Sequence, residues 1–227
     1  MSNADDSGIV ASLAGQLGAI LGTRLTPDGV CQATGGVLAL VEAEIAALLE
    51  LPVSLDKRPA CVEGCHACCH CMVGVSPPEV IMLANKIALL PAETVTALRQ
   101  RTSVVATNMA AMSVDQRIDS RAACPFLHER RCLVYALRPL ACMGHISTNR
   151  ALCDSWLETG KSVTVPTVSD ARRVVDLSRM ALTEALRPFN VHMEMLDFRI
   201  AIDLALSNAS FAEQWCDGGN PFAAAAV

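Results

Sequence analysis

Five of the eleven cysteines in this chain lie within the short run CVEGCHACCHC, from Cys61 to Cys71. A hydrophobic core does not call for so many thiols in one place, although a single cysteine packs well as a small apolar side chain. Two histidines, His66 and His70, lie between these cysteines. Thiolates gathered at this density hold a metal ion or form disulfides. The segment therefore predicts thiolate chemistry.

The first three of these cysteines have the spacing C-x3-C-x2-C, at Cys61, Cys65 and Cys68. A short loop with this spacing can turn three sulfurs toward one metal, at a metal–sulfur distance of about 2.3 Å. Adjacent side chains point in different directions, so Cys69 is expected to serve a second metal or to lie behind a ligand. His66 and His70 can bind metal through imidazole, but a side chain next to a ligand often faces away from the metal.

A second cysteine-bearing segment lies further along the chain. Its members are Cys124, Cys132, Cys142 and Cys153. Together with Cys61, Cys65, Cys68 and Cys69 they supply enough thiolates for two four-sulfur sites. Four thiolates on one zinc ion, or on one oxidised 4Fe–4S cluster, carry a net charge of about −2, which needs nearby cations or N–H groups. Arg130, Arg131 and Arg138 are candidates for this role, with a solvated turn as the alternative for the first two.

The elements that must position these cysteines are helical. The chain is 52% hydrophobic but only 4% aromatic, and its abundant Ala and Leu favour helices. We expect a mainly helical, all-α fold with irregular Cys-rich loops and one short β-hairpin around 124–135. The organisation predicted is one domain over 1–227, with N-terminal helices in 1–52, the cysteine-bearing metal-binding core in 61–153 and C-terminal helices in 166–217.

Capping residues and apolar periodicity predict the individual helices. Residues 51–60 and 115–123 are predicted connections, and a helical turn is expected near Tyr135. Ser76 and Glu79 are expected to form a capping box, and Ser147 or Thr148 is expected to cap a helix after Cys142. The other predicted helices are Ser7–Leu21, Pro27–Glu50, Pro77–Leu90, Ala92–Met112, a helix capped by Ser169 that runs to Leu186, His192–Leu206 and Phe211–Cys216.

Charge and hydropathy argue against several functions. The net charge of −5 and the pI near 5.5 disfavour general nucleic-acid binding, which needs a basic face. The apolar segment from Gly8 to Leu21 is too short to span a bilayer and lacks the features of a signal peptide. We therefore expect no membrane association and a cytoplasmic location, where clustered cysteines bind metal more often than they form disulfides.

The order of these motifs resembles a known family. The C-x3-C-x2-C-C run, a helix that starts Pro-Pro-Glu, then CPFL, C-x2-Y-x2-R-P-x2-C and one further cysteine are similar to the YkgJ-type cysteine-cluster family of zinc- or iron-chelating proteins. The stretch from Trp215 to Phe222 also resembles the tail of that family. The resemblance implies a helical, cytoplasmic protein whose motif cysteines bind metal, namely Cys61, Cys65, Cys68, Cys69, Cys124, Cys132, Cys142 and Cys153.

Two positions depart from the family pattern. Met143 stands where an arginine commonly follows the cysteine, so His145 is a substitute donor near Cys142. Cys71 is additional to the pattern and is interpreted either as a redox thiol or ligand, or as a tolerated small residue. Arg138, Tyr135 and His145 are predicted to support the ligands without binding the metal themselves.

Three functions are consistent with these residues. The cysteine-only ligand set and the Cys124–Pro125 pair favour an iron–sulfur protein that transfers electrons or forms part of an oxidoreductase, with a redox partner that the sequence does not identify. A structural zinc module is the second hypothesis, and a metal carrier that delivers ions to a partner is the third. The sequence has no Ser-His-Asp arrangement, phosphate-binding glycine loop or HExxH motif, so it predicts no separate catalytic site.

Overall fold

The computed structural model of the chain describes residues 3–52 and 58–227. Its fold is mainly helical, as the composition predicts. The α-helices of the described residues are α1 (Asn3–Leu21), α2 (Pro27–Glu50), α3 (Pro77–Ala88), α4 (Ala92–Ala110), α5 (Val114–Asp119), α6 (Leu140–Gly144), α7 (Arg150–Thr159), α8 (Ser169–Leu186), α9 (Phe198–Ser207) and α10 (Phe211–Cys216).

The described residues form two small antiparallel sheets, of which one joins distant parts of the chain and the other is a local hairpin. β1 (Gly74–Val75) pairs with β4 (Leu196–Asp197), and β2 (Leu127–His128) pairs with β3 (Arg131–Cys132). The second pair is the hairpin predicted around 124–135. Both residues of its turn, Glu129 and Arg130, have positive φ, as a tight two-residue hairpin turn requires.

Short 3-10 helices complete the secondary structure of the described residues. They are Ala67–His70, Tyr135–Leu137, Arg187–Phe189 and Ala223–Ala225. The second of them is the helical turn predicted near Tyr135. The first contains Cys68 and Cys69, so the dense cysteine run includes one tight helical turn.

Two helix starts follow the capping chemistry predicted for them. Thr26 precedes Pro27 at the start of α2, and its side chain accepts a hydrogen bond from the Gly29 N–H at 3.1 Å. The capping box at the start of α3 also forms, because the Glu79 carboxylate accepts the Ser76 N–H at 2.9 Å. These interactions satisfy backbone donors that the first turn of a helix leaves without partners.

The prediction for 115–123 was wrong in part. Residues Val114–Asp119 form α5, with a capping box between Ser113 and Gln116 at its start. The segment is polar and was therefore predicted as a connection, but it forms a short helix in which the Arg117 side chain is buried. The predicted linker at 51–60 lies partly outside the described residues.

Three other helix starts differ from their predicted positions. Asn149, rather than Ser147 or Thr148, caps α7 by accepting the Leu152 N–H at 3.1 Å. Ser169 is the first residue of α8, and the N-cap position belongs to Val168. The helix predicted from His192 begins only at Phe198, because Leu196 and Asp197 are paired with β1.

The helices pack around one continuous core that extends from Val10 on α1 to Ala225 near the C-terminus. Helix α8 packs against α1, α2 and α6, whereas α9 packs against α3 and α4. Trp215 and Phe126 are among the largest fully buried side chains. The core therefore joins helices from both ends of the chain, and the cysteine segments lie between those helices in the sequence.

Helix α2 is the one helix in the described ranges that is long and apolar enough to cross a bilayer. Its most apolar window has a mean hydropathy of 1.4, and 33% of that window is buried within the fold. Core helices of globular proteins can have the same length and composition. Val37 and Val41 of α2 belong to the buried core.

Candidate metal centre

The first cysteine segment is an irregular loop that lies against the second. The Ala60 N–H donates to the Ser147 carbonyl at 2.8 Å, and the Cys61 thiol donates to the same oxygen at 3.9 Å. The 3-10 helix Ala67–His70 packs against α7, the helix that contains Cys153. The beginning of the first segment is therefore placed beside the end of the second.

Further contacts join the middle of the two segments. The Cys124 N–H donates to the Cys69 carbonyl at 2.7 Å, and the His70 Nδ1 lies 3.0 Å from the Arg121 carbonyl oxygen. The Arg130 Nε donates to the Gly64 carbonyl at 3.2 Å. These bonds bring two segments that are more than fifty residues apart in sequence into one region.

Core packing holds the second segment in place. Phe126 and Leu140 are fully buried, and Met143 is nearly so. The Oε1 atom of Glu79 accepts the Leu140 N–H at 2.9 Å, which ties the start of α6 to the start of α3. Cys142 on α6 is thus positioned by residues whose packing has nothing to do with metal.

Four cysteines from both segments form one group of neighbours, called here the Cys142 group: Cys68, Cys124, Cys132 and Cys142. Burial raises the pKa of the Cys142 thiol well above its usual value, and the neighbouring thiols of Cys124, Cys68 and Cys132 raise it further. Burial likewise raises the pKa of Cys124 to about 11. At neutral pH these thiols are protonated, because burial disfavours the thiolate.

A second group, the Cys153 group, comprises Cys61, Cys65, Cys71 and Cys153. Burial raises the pKa of Cys61, and the nearby Cys65, Cys68 and Cys153 add to this effect. Burial also raises the pKa of Cys71 to about 11, again with Cys68 and Cys153 as neighbours. Cys68 thus lies between the two groups. Cys71, which is additional to the family pattern, faces the same thiols as its motif neighbours.

Cys69 does not diverge from Cys68 as adjacent side chains were expected to do. The Cys68 thiol is hydrogen bonded to the Cys69 side chain, which raises the pKa of Cys68 more than burial does. The tight turn of the 3-10 helix Ala67–His70 brings these two side chains together.

The sulfurs are gathered but not arranged as ligands. Within residues 3–52 and 58–227, no three Cys, His, Asp or Glu side chains are placed to hold a metal ion. Metal binding must therefore remove protons and move the thiols closer together. The donor set fits a thiophilic metal, because each group supplies four sulfurs and the Cys142 group contains no oxygen or nitrogen donor.

One imidazole atom in the first segment also lacks a partner. The Nδ1 atom of His66 is buried without a hydrogen bond. Burial lowers the pKa of His66, and Arg130 and His70 lower it further. The neutral ring therefore has a nitrogen directed into the protein, which is the form that binds metal.

The arginines predicted to balance the thiolate charge are mostly at the surface. Arg131 is 72% exposed in its side chain and pairs with Glu63 at 2.8 Å. Arg130 is exposed as well. Arg138 lies 4.1 Å above the Tyr135 ring and 3.5 Å from Glu42, although it lowers the pKa of Cys132 against the larger effect of burial.

The other two predicted supporting residues differ in exposure. Tyr135 is 64% exposed, and its ring lies beneath Arg138. His145 follows α6, and burial lowers its pKa, with Arg172 on α8 lowering it further.

Sequence reasoning missed a buried charged cluster beside the cysteines. Asp197 and Arg199, from the C-terminal third of the chain, are 0% and 1% exposed. Arg117 on α5 joins them through a 3.8 Å contact with Asp197. The only sequence signal was two charged residues close together near the start of an apolar helix, and that signal does not reveal what they face.

The remaining two cysteines lie apart from both groups. Cys31 is on α2 and Cys216 is the last residue of α10, and the two helices are in contact. Burial raises the pKa of Cys31 to about 11 and that of Cys216 to about 12. Neither residue belongs to the motif cysteines.

Residues 60–159 match the CxxCxxCC family, described as "Putative zinc- or iron-chelating domain". The matched range includes every motif cysteine and ends before α8, so the resemblance noted for Trp215 to Phe222 lies outside it. Comparisons with curated proteins and with solved structures gave no match.

Proposed function

Because residues 60–159 match the CxxCxxCC family, described as a zinc- or iron-chelating domain, we propose that this protein holds an iron–sulfur cluster through the thiolates of its two cysteine segments. A cluster of this kind would supply one-electron redox chemistry. Cys68, Cys124, Cys132 and Cys142 would hold it. The protein would then act as an electron carrier or as a component of an oxidoreductase, together with a redox partner.

The observation that carries this proposal is the composition of the Cys142 group. Its four sulfurs come from a 3-10 helix, a loop, β3 and α6, and each of these thiols has neighbours within the group. Iron–sulfur clusters are held by cysteine thiolates alone in most proteins. Burial around these thiols would shield a cluster from water, since three of the four cysteines lie against the hydrophobic core or next to buried residues.

We also propose that the protein is located in a reducing cytoplasm. Thiols must remain reduced to bind metal, and disulfides predominate over free thiols in oxidising compartments. All cysteines of the described residues are free thiols in this fold.

Anaerobic purification followed by iron, zinc and sulfide analysis tests the proposal. We expect iron and acid-labile sulfide in similar amounts, with visible absorption that reduction bleaches. Cys142→Ser should abolish the sulfide content, whereas Cys216→Ser, outside both groups, should leave it unchanged. Protein that binds zinc without sulfide, or that binds no metal, would contradict the iron–sulfur assignment.

Structural zinc is the second candidate, and His66 is the observation that favours it. Its buried Nδ1 lacks a partner, and mixed cysteine–histidine ligand sets are typical of zinc sites. Zinc would then be held by His66 together with cysteines of the Cys153 group, and folding of the first segment would depend on the metal.

Paired histidine variants distinguish the two candidates. His66→Ala should lower zinc affinity if the imidazole is a ligand. His70→Ala is the matched control, because the His70 Nδ1 already bonds to the Arg121 carbonyl at 3.0 Å. Equal affinities of the His66→Ala variant and the unmodified protein would remove the observation on which the zinc candidate depends.

A further inference from the structure

A cluster of three charged side chains is buried beneath the cysteine segments. Arg117, Asp197 and Arg199 are 7%, 0% and 1% exposed. The Arg199 guanidinium donates to both carboxylate oxygens of Asp197, from Nε at 3.1 Å and from Nη2 at 2.9 Å. Its Nη2 also donates to the Arg117 carbonyl at 3.2 Å. The three residues therefore form one connected group.

The cluster carries one more positive charge than negative. Two guanidinium groups share a single carboxylate, so the net charge is +1. The donors exceed the acceptors as well, because the Nη1 atom of Arg199 and the Nε and Nη1 atoms of Arg117 are buried without hydrogen-bond partners. A buried net charge with unsatisfied donors is costly unless an anion lies nearby.

Backbone contacts place this cluster next to both cysteine segments. In the β1–β4 pair Gly74 faces Asp197, and the Phe198 N–H donates to the Val73 carbonyl at 3.0 Å. Val73 is two residues after Cys71 in the sequence. Arg199 therefore lies two residues after the end of β4, the strand that pairs with β1 just beyond the first cysteine segment.

The second cysteine segment approaches the cluster from another side. The Phe198 ring stacks on the Phe126 ring, with 5.6 Å between centroids, and Phe126 is two residues after Cys124. Phe198, the residue before Arg199, therefore contacts both cysteine segments, through the Val73 carbonyl and the Phe126 ring.

We propose that the Arg117–Asp197–Arg199 cluster is the buried countercharge of the thiolate–metal centre. This inference depends on the metal binding proposed above. Four thiolates around one divalent metal, or around one oxidised 4Fe–4S cluster, carry a net charge of about −2. The cluster offsets part of that charge, a role for which the exposed Arg130 and Arg131 are poorly placed. Arg199 comes from α9, outside residues 60–159, whereas Arg117 on α5 lies within that range.

Substitutions that change the net charge in opposite directions test this role. The probe is Zn²⁺ alone, and its affinity for the metal-free full-length protein is measured by competition with a chelator. Arg199→Gln reduces the net charge to zero, and its affinity should fall roughly 10- to 100-fold, the usual effect of losing a residue that supports the ligands. Asp197→Asn raises the net charge to +2 and should strengthen binding. Arg199→Lys keeps the charge and should bind more tightly than Arg199→Gln.

A merely structural role predicts a different pattern. Loss of the hydrogen bonds between Arg199 and Asp197 would weaken Zn²⁺ binding in all three variants, with Lys and Gln equivalent at position 199. Circular dichroism of the metal-free proteins verifies folding, and Arg131→Gln is the exposed control that should leave the affinity within about twofold of the unmodified protein.

The remaining outcomes of these measurements test the countercharge role. The countercharge role is overturned, and metal binding stands, if Arg199→Gln has the same Zn²⁺ affinity as the unmodified protein. The same holds if Arg199→Gln and Arg199→Lys have equal affinities. If the unmodified protein does not bind Zn²⁺, the countercharge inference fails, whereas the iron–sulfur proposal is decided separately by the iron and sulfide analysis described above. Should the position 199 variants not fold, Arg117→Gln and Arg117→Lys provide the same comparison, with the same criteria.

Discussion

The two cysteine segments differ in what holds them. The second segment is anchored by the core, since Phe126 and Leu140 are fully buried and Glu79 fixes the start of α6. The first segment begins with exposed residues, Cys61 among them, and is held largely by hydrogen bonds to the second. One half of the candidate centre is therefore built by ordinary packing, and the other half docks onto it.

The arginines near the thiols also differ, because one is exposed to solvent and another is buried. Arg131 on β3 is exposed to water, where an ion pair contributes little. Arg199 is buried, where a charge acts strongly on its neighbours because solvent screening is weak. Proximity in sequence to the cysteines is thus a poor guide to which cation matters.

Removing one thiol, from either segment, should have the largest effect on metal affinity. The stability of the metal-free variants should then distinguish the packed second segment from the docked first segment. Zinc binding to structural sites contributes about 10–16 kcal/mol, so loss of one of four ligands should lower affinity about a hundredfold. We expect this for both Cys142→Ser and Cys61→Ser. Only Cys142→Ser should also destabilise the metal-free protein, by about 1 kcal/mol, because its hydroxyl replaces a thiol in packed surroundings.

Urea unfolding of the metal-free variants and chelator competition measure these two quantities. Cys216→Ser is the control for both, because Cys216 lies outside the two groups. Equal destabilisation of the metal-free protein by Cys142→Ser and Cys61→Ser would show that the two segments are anchored alike.

Loss of the Glu79 carboxylate should be the next largest effect. Glu79 is 3% exposed, accepts the N–H groups of Ser76 and Leu140 at 2.9 Å each, and lies 3.5 Å from Arg179. Breaking a buried ion pair by removing one partner costs about 3–5 kcal/mol. We expect Glu79→Ala to lower the free energy of unfolding of the metal-free protein by about 3 kcal/mol.

Chemical denaturation measures this loss, and Glu184→Ala is the matched control. Glu184 pairs with Arg187 at the surface, with its side chain 42% exposed, so its loss should cost less than about 1 kcal/mol. Similar losses for the two variants would mean that Glu79 does not anchor α6.

High pH should destabilise the metal-free protein. The folded-state pKa of Cys31 and of Cys124 is raised to about 11 from an ordinary value of 9.0. A raised pKa means that the folded state holds the proton more tightly, so the stabilisation is complete below pH 9 and is lost as the pH rises toward 11. Anaerobic urea unfolding at pH 7, 9 and 10.5 checks this.

Bound metal should alter this pH dependence. Binding replaces thiol protons, so metal affinity should increase with pH while thiols are still protonated. Cys31→Ala should retain the alkaline destabilisation caused by the motif cysteines. An unfolding free energy of the metal-free protein that stays constant from pH 7 to 10.5 would contradict the assigned burial of these thiols.

The smallest effect is expected where the two segments meet in water. Arg131 and Glu63 are 72% and 79% exposed in their side chains, and exposed pairs contribute about 0–1 kcal/mol. Glu63→Gln should change the unfolding free energy by less than about 0.5 kcal/mol. A larger loss, in either thermal or urea unfolding, would mean that this surface contact is part of what docks the first segment.

Local chemistry explains which parts of the fold were predictable. Pro27 after Thr26, and Glu79 after Ser76, start helices by satisfying backbone donors nearby, and such signals depend on only a few residues. The start of α9 was placed too early because Leu196 pairs with Val75 in β1. A pairing between residues so far apart leaves no local pattern to find.

The sequence by itself determined the chemistry of this protein and most of its helices. Thiol density and spacing identify a metal-binding segment, because donor type depends on residue identity alone. Only the tertiary structure decided which thiols are neighbours, that Cys71 lies among them, and that the buried cation near Cys124 is Arg199 rather than Arg130. Burial and proximity depend on how distant segments pack, and a charge acts through space and not along the chain.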